Sequence, residues 1–140
     1  MDRTGLNLIT RTALIASIAI ASGTANAVNP ERAKADYTNY CASCHGMDGT
    51  GNGPMASELK GAPTDLTTLT QKNNGYFPYI KIRRVIDGSL STGSIRAHGS
   101  ADMPVWGDVF RRQASDVSKW NDAQARIMNI VDYLESIQKK

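Results

Sequence analysis

The segment from Cys41 to His45, with the sequence CASCH, places two thiols three positions apart and an imidazole directly after the second thiol. A C-x-x-C-H sequence is typical of covalent c-type haem attachment. Cys41 and Cys44 can each form a thioether with one vinyl group of a single porphyrin, and His45 is then placed to bind the iron. The motif therefore predicts the covalent bond to a haem c cofactor and one of the two axial iron ligands.

Three other chemistries use closely spaced cysteines. A redox-active dithiol is expected beside a strand–helix–strand pattern, which this sequence lacks. A structural zinc site needs four protein ligands, whereas the chain has only two Cys and two His. A structural disulfide across so short a loop would remove little chain entropy and would leave His45 without a role. Haem attachment is the interpretation that uses all three side chains.

Residues 1–27 have the features of a secretory signal peptide. Two arginines come first, residues 12–21 are uncharged and mostly apolar, and residues 25–27 supply an Ala-Asn-Ala cleavage site. The apolar run is shorter than the roughly 20 residues that a membrane-spanning helix needs. We therefore predict export to the periplasm and a single mature domain of residues 28–140 without a membrane span. A retained N-terminal anchor is the alternative.

The charge balance argues against nucleic acid as a partner. The net charge is +3 over 140 residues, and the lysines and arginines form no clustered basic stripe. A mature domain of this size would have a thin core of its own. A buried porphyrin would therefore contribute to folding as well as to function.

Helix signals at both ends of the mature segment are the clearest. Asn29 is a favoured N-cap and Pro30 is favoured at the first helical position, so a helix is predicted from Pro30 into the haem motif. Near the C-terminus, Asn121 and Gln124 form a capping-box pattern. Apolar residues at helical spacing follow that pattern and predict the last helix; they are Ile127, Ile130, Val131 and Leu134.

Shorter helices are predicted between these two. A turn of helix is expected after Asp65, a longer helix between Pro78 and Gly88, and another short helix after Pro104. Residues 88–102 are rich in Ser and Gly and lack periodicity, so they are predicted to form an ordered loop that carries function. Because no stretch alternates with a period of two, the predicted fold class is all-α.

An electron-transfer haem with six ligands needs a second axial side chain. The candidates in the mature segment are Met47, Met55, Met103, Met128 and His98. Met47 follows His45 too closely to reach the opposite face of the ring, and Met128 is predicted to be a core residue of the last helix. Met103 is far enough along the chain to wrap round the ring edge. It is the predicted ligand, with His98 as an alternative that would lower the potential.

These features together make the sequence resemble a class I cytochrome c over essentially the whole mature segment. They occur in the family's order: C-x-x-C-H-G, glycines at 49, 51 and 53 before Pro54, Met-Pro-x-Trp at 103–106, and a terminal helix containing VDYL. The resemblance implies a small cytochrome c fold, in which several short helices wrap around one covalently bound haem and the N- and C-terminal helices cross.

The resemblance also implies His45 and Met103 as the axial ligands. It further implies that the Pro54 carbonyl accepts a hydrogen bond from the Nδ1 proton of His45, a contact that would orient the imidazole.

Three residues in and around the methionine segment are predicted to contact a haem propionate. They are Arg96, His98 and Trp106. Packing in the core is an equal alternative for Trp106, and a hydrogen bond to loop backbone is the alternative for His98.

The function predicted from these residues is one-electron transfer. A thioether opposite an imidazole stabilises ferrous iron and raises the potential, and two filled axial positions leave no open site for catalysis. We expect a periplasmic electron carrier that makes small contacts with a redox protein, namely a membrane oxidoreductase, an oxidase or a periplasmic dehydrogenase. The alternatives are a haem-bearing subunit of a larger periplasmic oxidoreductase complex, and a ligand-binding haem protein with a labile Met103.

Overall fold

The computed structural model describes residues 29–90, 103–114 and 119–140, and these residues contain helices and no strand. The α-helices are α1 (Pro30–Tyr40), α2 (Ala42–His45), α3 (Tyr79–Asp87), α4 (Trp106–Gln113) and α5 (Lys119–Ser136). Single turns of 3-10 helix occur at Ala56–Glu58, Leu66–Thr68 and Gln71–Asn73. The predicted all-α class is therefore confirmed. Both the predicted leader, residues 1–27, and residues 91–102 of the predicted functional loop lie outside the described residues.

Helix α1 begins as the sequence predicts. The Asn29 side chain accepts a hydrogen bond from the amide of Arg32 at 2.9 Å, and Pro30 occupies the first turn. The helix ends at Tyr40, where the amide of Cys41 still donates to the carbonyl of Tyr37. The first predicted helix thus ends directly before the haem motif.

Helix α5 begins at Lys119, so the capping-box prediction is wrong. Asn121 and Gln124 both lie inside the helix, and the Gln124 Oε1 atom accepts a hydrogen bond from Arg83 of α3 at 2.9 Å. The predicted apolar face is nevertheless buried along its whole length. Met128 is 46% exposed, which corrects its assignment to the core.

Helix α5 is the centre of the packing, since α1, α3 and α4 all contact it. The largest fully buried side chains come from three of these helices; they are Tyr37, Phe110, Ile127, Ile130 and Val131. Beyond the end of α5, the Lys139 amide donates to the carbonyl of Thr67 at 2.8 Å. The C-terminal segment is thereby joined to the turn that follows Asp65.

The shorter predicted helices are also present. The Asp65 side chain caps the turn Leu66–Thr68 by accepting from the amide of Thr67 at 2.8 Å. Helix α3 ends at Asp87 and is followed by Gly88, whose φ of 82° lies in the left-handed region that favours glycine. No helix among the described ranges is both long and apolar enough to span a membrane.

Candidate functional site

The haem motif lies on the short helix α2. The amide of His45 donates to the carbonyl of Cys41 at 2.9 Å, which closes the single turn that brings Cys41, Cys44 and His45 to one side of the chain. Both cysteines are free thiols, Cys41 buried and Cys44 half-buried. Neither a disulfide nor a cluster of three or more metal-binding side chains occurs within the described residues.

The imidazole of His45 is held by a backbone carbonyl. Its Nδ1 atom lies 3.0 Å from the carbonyl oxygen of Thr64. Because a carbonyl can only accept a hydrogen bond, this contact places the ring proton on Nδ1 and the lone pair on Nε2, which is then the nitrogen with which the ring would bind a metal. The predicted acceptor, Pro54, is therefore corrected to Thr64.

The course of the chain after His45 explains this correction. The amide of Gly53 donates to the carbonyl of Cys44 at 3.1 Å, and the amide of Met55 donates to that of Ser43 at 2.9 Å. Residues 53–55 are therefore paired with the backbone of α2, and Pro54 is exposed. The next pass of the chain brings Thr64 to the imidazole.

Two glycines permit this close approach. A Cβ on Gly53 would lie 2.4 Å from the carbonyl oxygen of Ser43, and one on Gly51 would lie 2.5 Å from that of Pro63. Such contacts are too short for any real side chain. The glycine-rich stretch is thus the local reason that the chain can fold back on α2.

His45 and Met103 line the same cavity, whose volume is about 330 Å³. The cavity also touches Cys41 and Tyr37. Most of its remaining wall is apolar and comes from the turn after Asp65, from α3 and from α5; these residues are Leu66, Leu69, Ile82, Val85, Ile86, Ile130 and Leu134. The structure therefore brings together an imidazole, a thioether and a thiol around one apolar space.

Two lysines stand at the wall of this cavity. Lys72 lies in the 3-10 turn Gln71–Asn73 and Lys81 lies in α3, and both side chains are exposed. With Asn73 they give an otherwise apolar cavity a polar, cationic side. The sequence alone does not predict that these two lysines lie at the same cavity, because this depends on how the chain turns between them.

The other predicted site residues lie elsewhere. Trp106 stacks on Phe110 with ring centroids 5.8 Å apart and meets Tyr40 edge-on at 5.4 Å. It is not among the residues that line the cavity, so these contacts agree with the packing alternative. Arg96 and His98 lie outside the described residues.

Burial changes the acidity of two groups beside the cavity. Burial, with a smaller effect from the carboxylate of Asp36, raises the pKa of the Cys41 thiol to about 12. Burial also raises the pKa of the Tyr37 hydroxyl, which donates to the carbonyl of Gly46 at 2.7 Å. Both groups are thus uncharged at neutral pH.

The chain was compared with protein families, curated proteins and solved structures. The family model described as cytochrome c matches residues 30–138. No curated protein and no solved structure matches the chain significantly.

Proposed function

The chain belongs to the cytochrome c family, and from this premise we propose that it carries single electrons in the periplasm through one haem whose axial ligands are His45 and Met103. Members of this family bind covalently attached haem c, for which Cys41 and Cys44 are the attachment residues. They transfer electrons between redox partner proteins. The bound haem supplies an iron that is oxidised and reduced by one electron.

The shared cavity of His45 and Met103 is the observation that carries the proposed ligation. The side chains around it fit a haem in their chemistry. Cys41 at the cavity wall and Cys44 of the same motif can hold the ring, an imidazole nitrogen and a thioether sulfur can bind iron, and apolar residues can pack on a macrocycle. The cationic side formed by Lys72 and Lys81 suits the two carboxylates that a haem carries.

Thr64, the Met103 thioether and the apolar wall would each change the properties of a bound iron. Thr64 orients the imidazole through Nδ1, and hydrogen bonding of this kind raises the basicity of a ligand histidine. A thioether raises the potential because it stabilises the ferrous state. The apolar wall would restrict the access of water to the haem. This also raises the potential, because the ferric centre carries more positive charge than the ferrous centre and loses more from poor solvation.

The periplasmic location is supported by residues 1–27, which combine two arginines, an apolar run and an Ala-Asn-Ala site. The test is to express the full chain with the haem maturation machinery and to fractionate the cells. We expect a haem-stained product in the periplasmic fraction whose mass begins at Val28. A product that keeps residues 1–27 and sediments with membranes would contradict export as a soluble carrier.

The ligation is tested with holoprotein carrying Met103→Ala, and Met128→Ala serves as a control because that side chain is exposed on α5. We expect Met103→Ala to abolish the weak long-wavelength band of methionine-ligated ferric haem. It should also lower the midpoint potential by about 0.1 V, within the roughly 0.8 V that axial ligands span. If Met103→Ala keeps the wild-type band and potential, Met103 is not the ligand.

A native molecular mass distinguishes a free carrier from a permanent subunit. The monomeric mass of the mature chain is expected for the carrier. Elution of the haem only within a larger complex would contradict the free-carrier proposal and favour a haem-bearing oxidoreductase subunit.

A further inference from the structure

Asp36 of α1 and Arg126 of α5 form a buried ion pair. The Nη2 and Nε atoms of Arg126 lie 2.6 Å and 3.1 Å from the two carboxylate oxygens of Asp36. Asp36 is 7% exposed and Arg126 is 9% exposed. The bidentate geometry satisfies both buried charges at the contact between the first and last helices.

Arg126 also contacts α4. Its guanidinium lies 4.0 Å from the ring centroid of Phe110, and its Nη1 donates to the Oε1 of Gln113 at 3.0 Å. The same Gln113 oxygen accepts from the hydroxyl of Tyr40 at 3.2 Å. Arg126 therefore joins α1, α4 and α5 at a single point.

Two of the helices that meet at this point are next in sequence to the segments that carry the proposed iron ligands. Tyr40 is the last residue of α1 and directly precedes Cys41 of the haem motif. Helix α4 begins at Trp106, directly after the Met103–Val105 segment, and its N-terminus has no side-chain cap. The polar contacts at the other end of α4 run through Gln113, so they hold the helix that follows Met103 against the helix that leads to His45.

We infer that Arg126 is a positioning residue for the distal haem ligand. By holding α4 against α1, it limits the fraction of molecules in which Met103 moves away from the iron. This role rests on the proposed function, since it requires Met103 to be that ligand. Loss of the Arg126 contacts to α4 then opens the distal position in a larger fraction of folded molecules.

The test measures imidazole binding to the ferric holoprotein, because external imidazole binds only where Met103 has left the iron. The apparent affinity is proportional to the fraction of open molecules, so a tenfold larger open fraction gives about tenfold tighter binding. Gln113→Ala removes the shared acceptor on an exposed residue and leaves the buried ion pair in place. We expect it and Arg126→Met each to tighten imidazole binding by about tenfold.

Arg32→Met is the matched control. Arg32 also pairs with an aspartate across α1 and α5, Asp122, at 3.7 Å, but these side chains are 54% and 41% exposed. Arg32 makes no described contact with α4, so the control should bind imidazole as the wild type does. An equal rise in affinity for Arg32→Met and Arg126→Met would overturn the inference.

A double variant separates positioning from stability. Asp36→Leu with Arg126→Met replaces both buried charges by apolar groups, an exchange that often restores stability, but it does not restore the contacts to Gln113. We expect the double variant to unfold at a higher guanidinium concentration than Arg126→Met, and to bind imidazole more tightly than the wild type. If imidazole affinity returns to the wild-type value together with stability, Arg126 acts only on folding.

The outcomes for the inference and for the proposed function differ. If Met103→Ala binds imidazole no more tightly than the wild type, the proposed ligation fails. If Met103→Ala tightens binding but Gln113→Ala and Arg126→Met do not, the ligation stands and the inference about Arg126 fails.

Discussion

The hydroxyl of Tyr37 donates a hydrogen bond to the carbonyl oxygen of Gly46 at 2.7 Å, and this bond joins the last turn of α1 to the residue that follows His45. Tyr37 is almost completely buried. Its ring packs against that of Tyr133 in α5 at a centroid distance of 5.0 Å. One side chain thus connects the first helix, the haem motif and the last helix.

Tyr37→Phe tests this connection. The substitution keeps the ring but removes the hydroxyl donor, so the Gly46 carbonyl keeps only its bond from the Gly49 amide at 3.2 Å. The free energy of unfolding should therefore fall by about 0.5–1.5 kcal/mol. Guanidinium unfolding of the holoprotein measures the loss. Tyr76→Phe is the control, because Tyr76 is 76% exposed and should change stability by less than about 0.5 kcal/mol. Equal stabilities of wild type and Tyr37→Phe would contradict the importance of this bond.

A second prediction concerns the acid sensitivity of the turn after Asp65. The Thr67 hydroxyl, followed by the Thr67 amide and Lys139, lowers the pKa of the Asp65 carboxyl. A group whose pKa is lower in the folded state stabilises the fold above its unfolded pKa of about 3.9. This stabilisation disappears as the pH falls through the lower folded-state pKa.

Thermal unfolding of Asp65→Asn measures this effect. We expect the variant to melt below the wild type at about pH 7 and the difference to be smaller at about pH 3, because that pH lies below the unfolded pKa of about 3.9, where part of the stabilisation is lost. Glu58→Gln, on an exposed turn, is the comparison. A difference between Asp65→Asn and wild type that is the same at both pH values would exclude the carboxylate charge as its cause.

Helix packing beside the cavity gives a third prediction. A Cβ added to Gly107 in α4 would lie 2.6 Å from the carbonyl oxygen of Asp87, whereas one added to Gly61 would have open space around it. Gly107→Ala should therefore force α3 and α4 apart and lower the unfolding free energy by about 1–3 kcal/mol. Gly61→Ala should be neutral or stabilising by up to about 1 kcal/mol. Equal unfolding midpoints for the two variants would contradict the close packing of α3 on α4.

The cationic side of the cavity gives a fourth prediction. A positive charge near a bound haem would disfavour the ferric state. Two unit charges ~10 Å apart in a water-like dielectric interact by about 0.4 kcal/mol, or roughly 20 mV for one electron. Lys72→Gln and Lys81→Gln should each lower the midpoint potential by about this amount. Lys34→Gln, on the exposed face of α1, should change it less. An equal shift in all three variants would exclude a specific role for the two cavity lysines.

The parts of this fold that could be predicted from sequence have local signals. The pair Asn29–Pro30 and the glycine at 88 mark helix ends through their own backbone and side-chain chemistry. The haem motif is likewise contained within five consecutive residues. The acceptor for His45 could not be found in this way, because it depends on how residues 46–64 fold back over α2. Pro54 is close to His45 in the chain, but Thr64 is the residue that reaches the imidazole.

The ion pair between Asp36 and Arg126 was missed for a different reason. Each helix has an amphipathic pattern on its own, and a charged residue in such a pattern is normally assigned to the solvent-exposed face. Only the two residues considered together could have predicted the ion pair. Asp36 lies beside Tyr37 on the buried face of α1, and Arg126 lies beside Ile127 on the buried face of α5. Opposite charges on two apolar faces predict that those faces meet.

The contact between Asp36 and Arg126 joins positions 90 residues apart, so the outermost helices of the domain hold one another. Trimming by proteases from either terminus would remove a partner that the opposite terminus needs. We expect a holoprotein trimmed past Asp36 or past Arg126 to be digested faster than the intact domain, because the remaining buried charge has lost its partner.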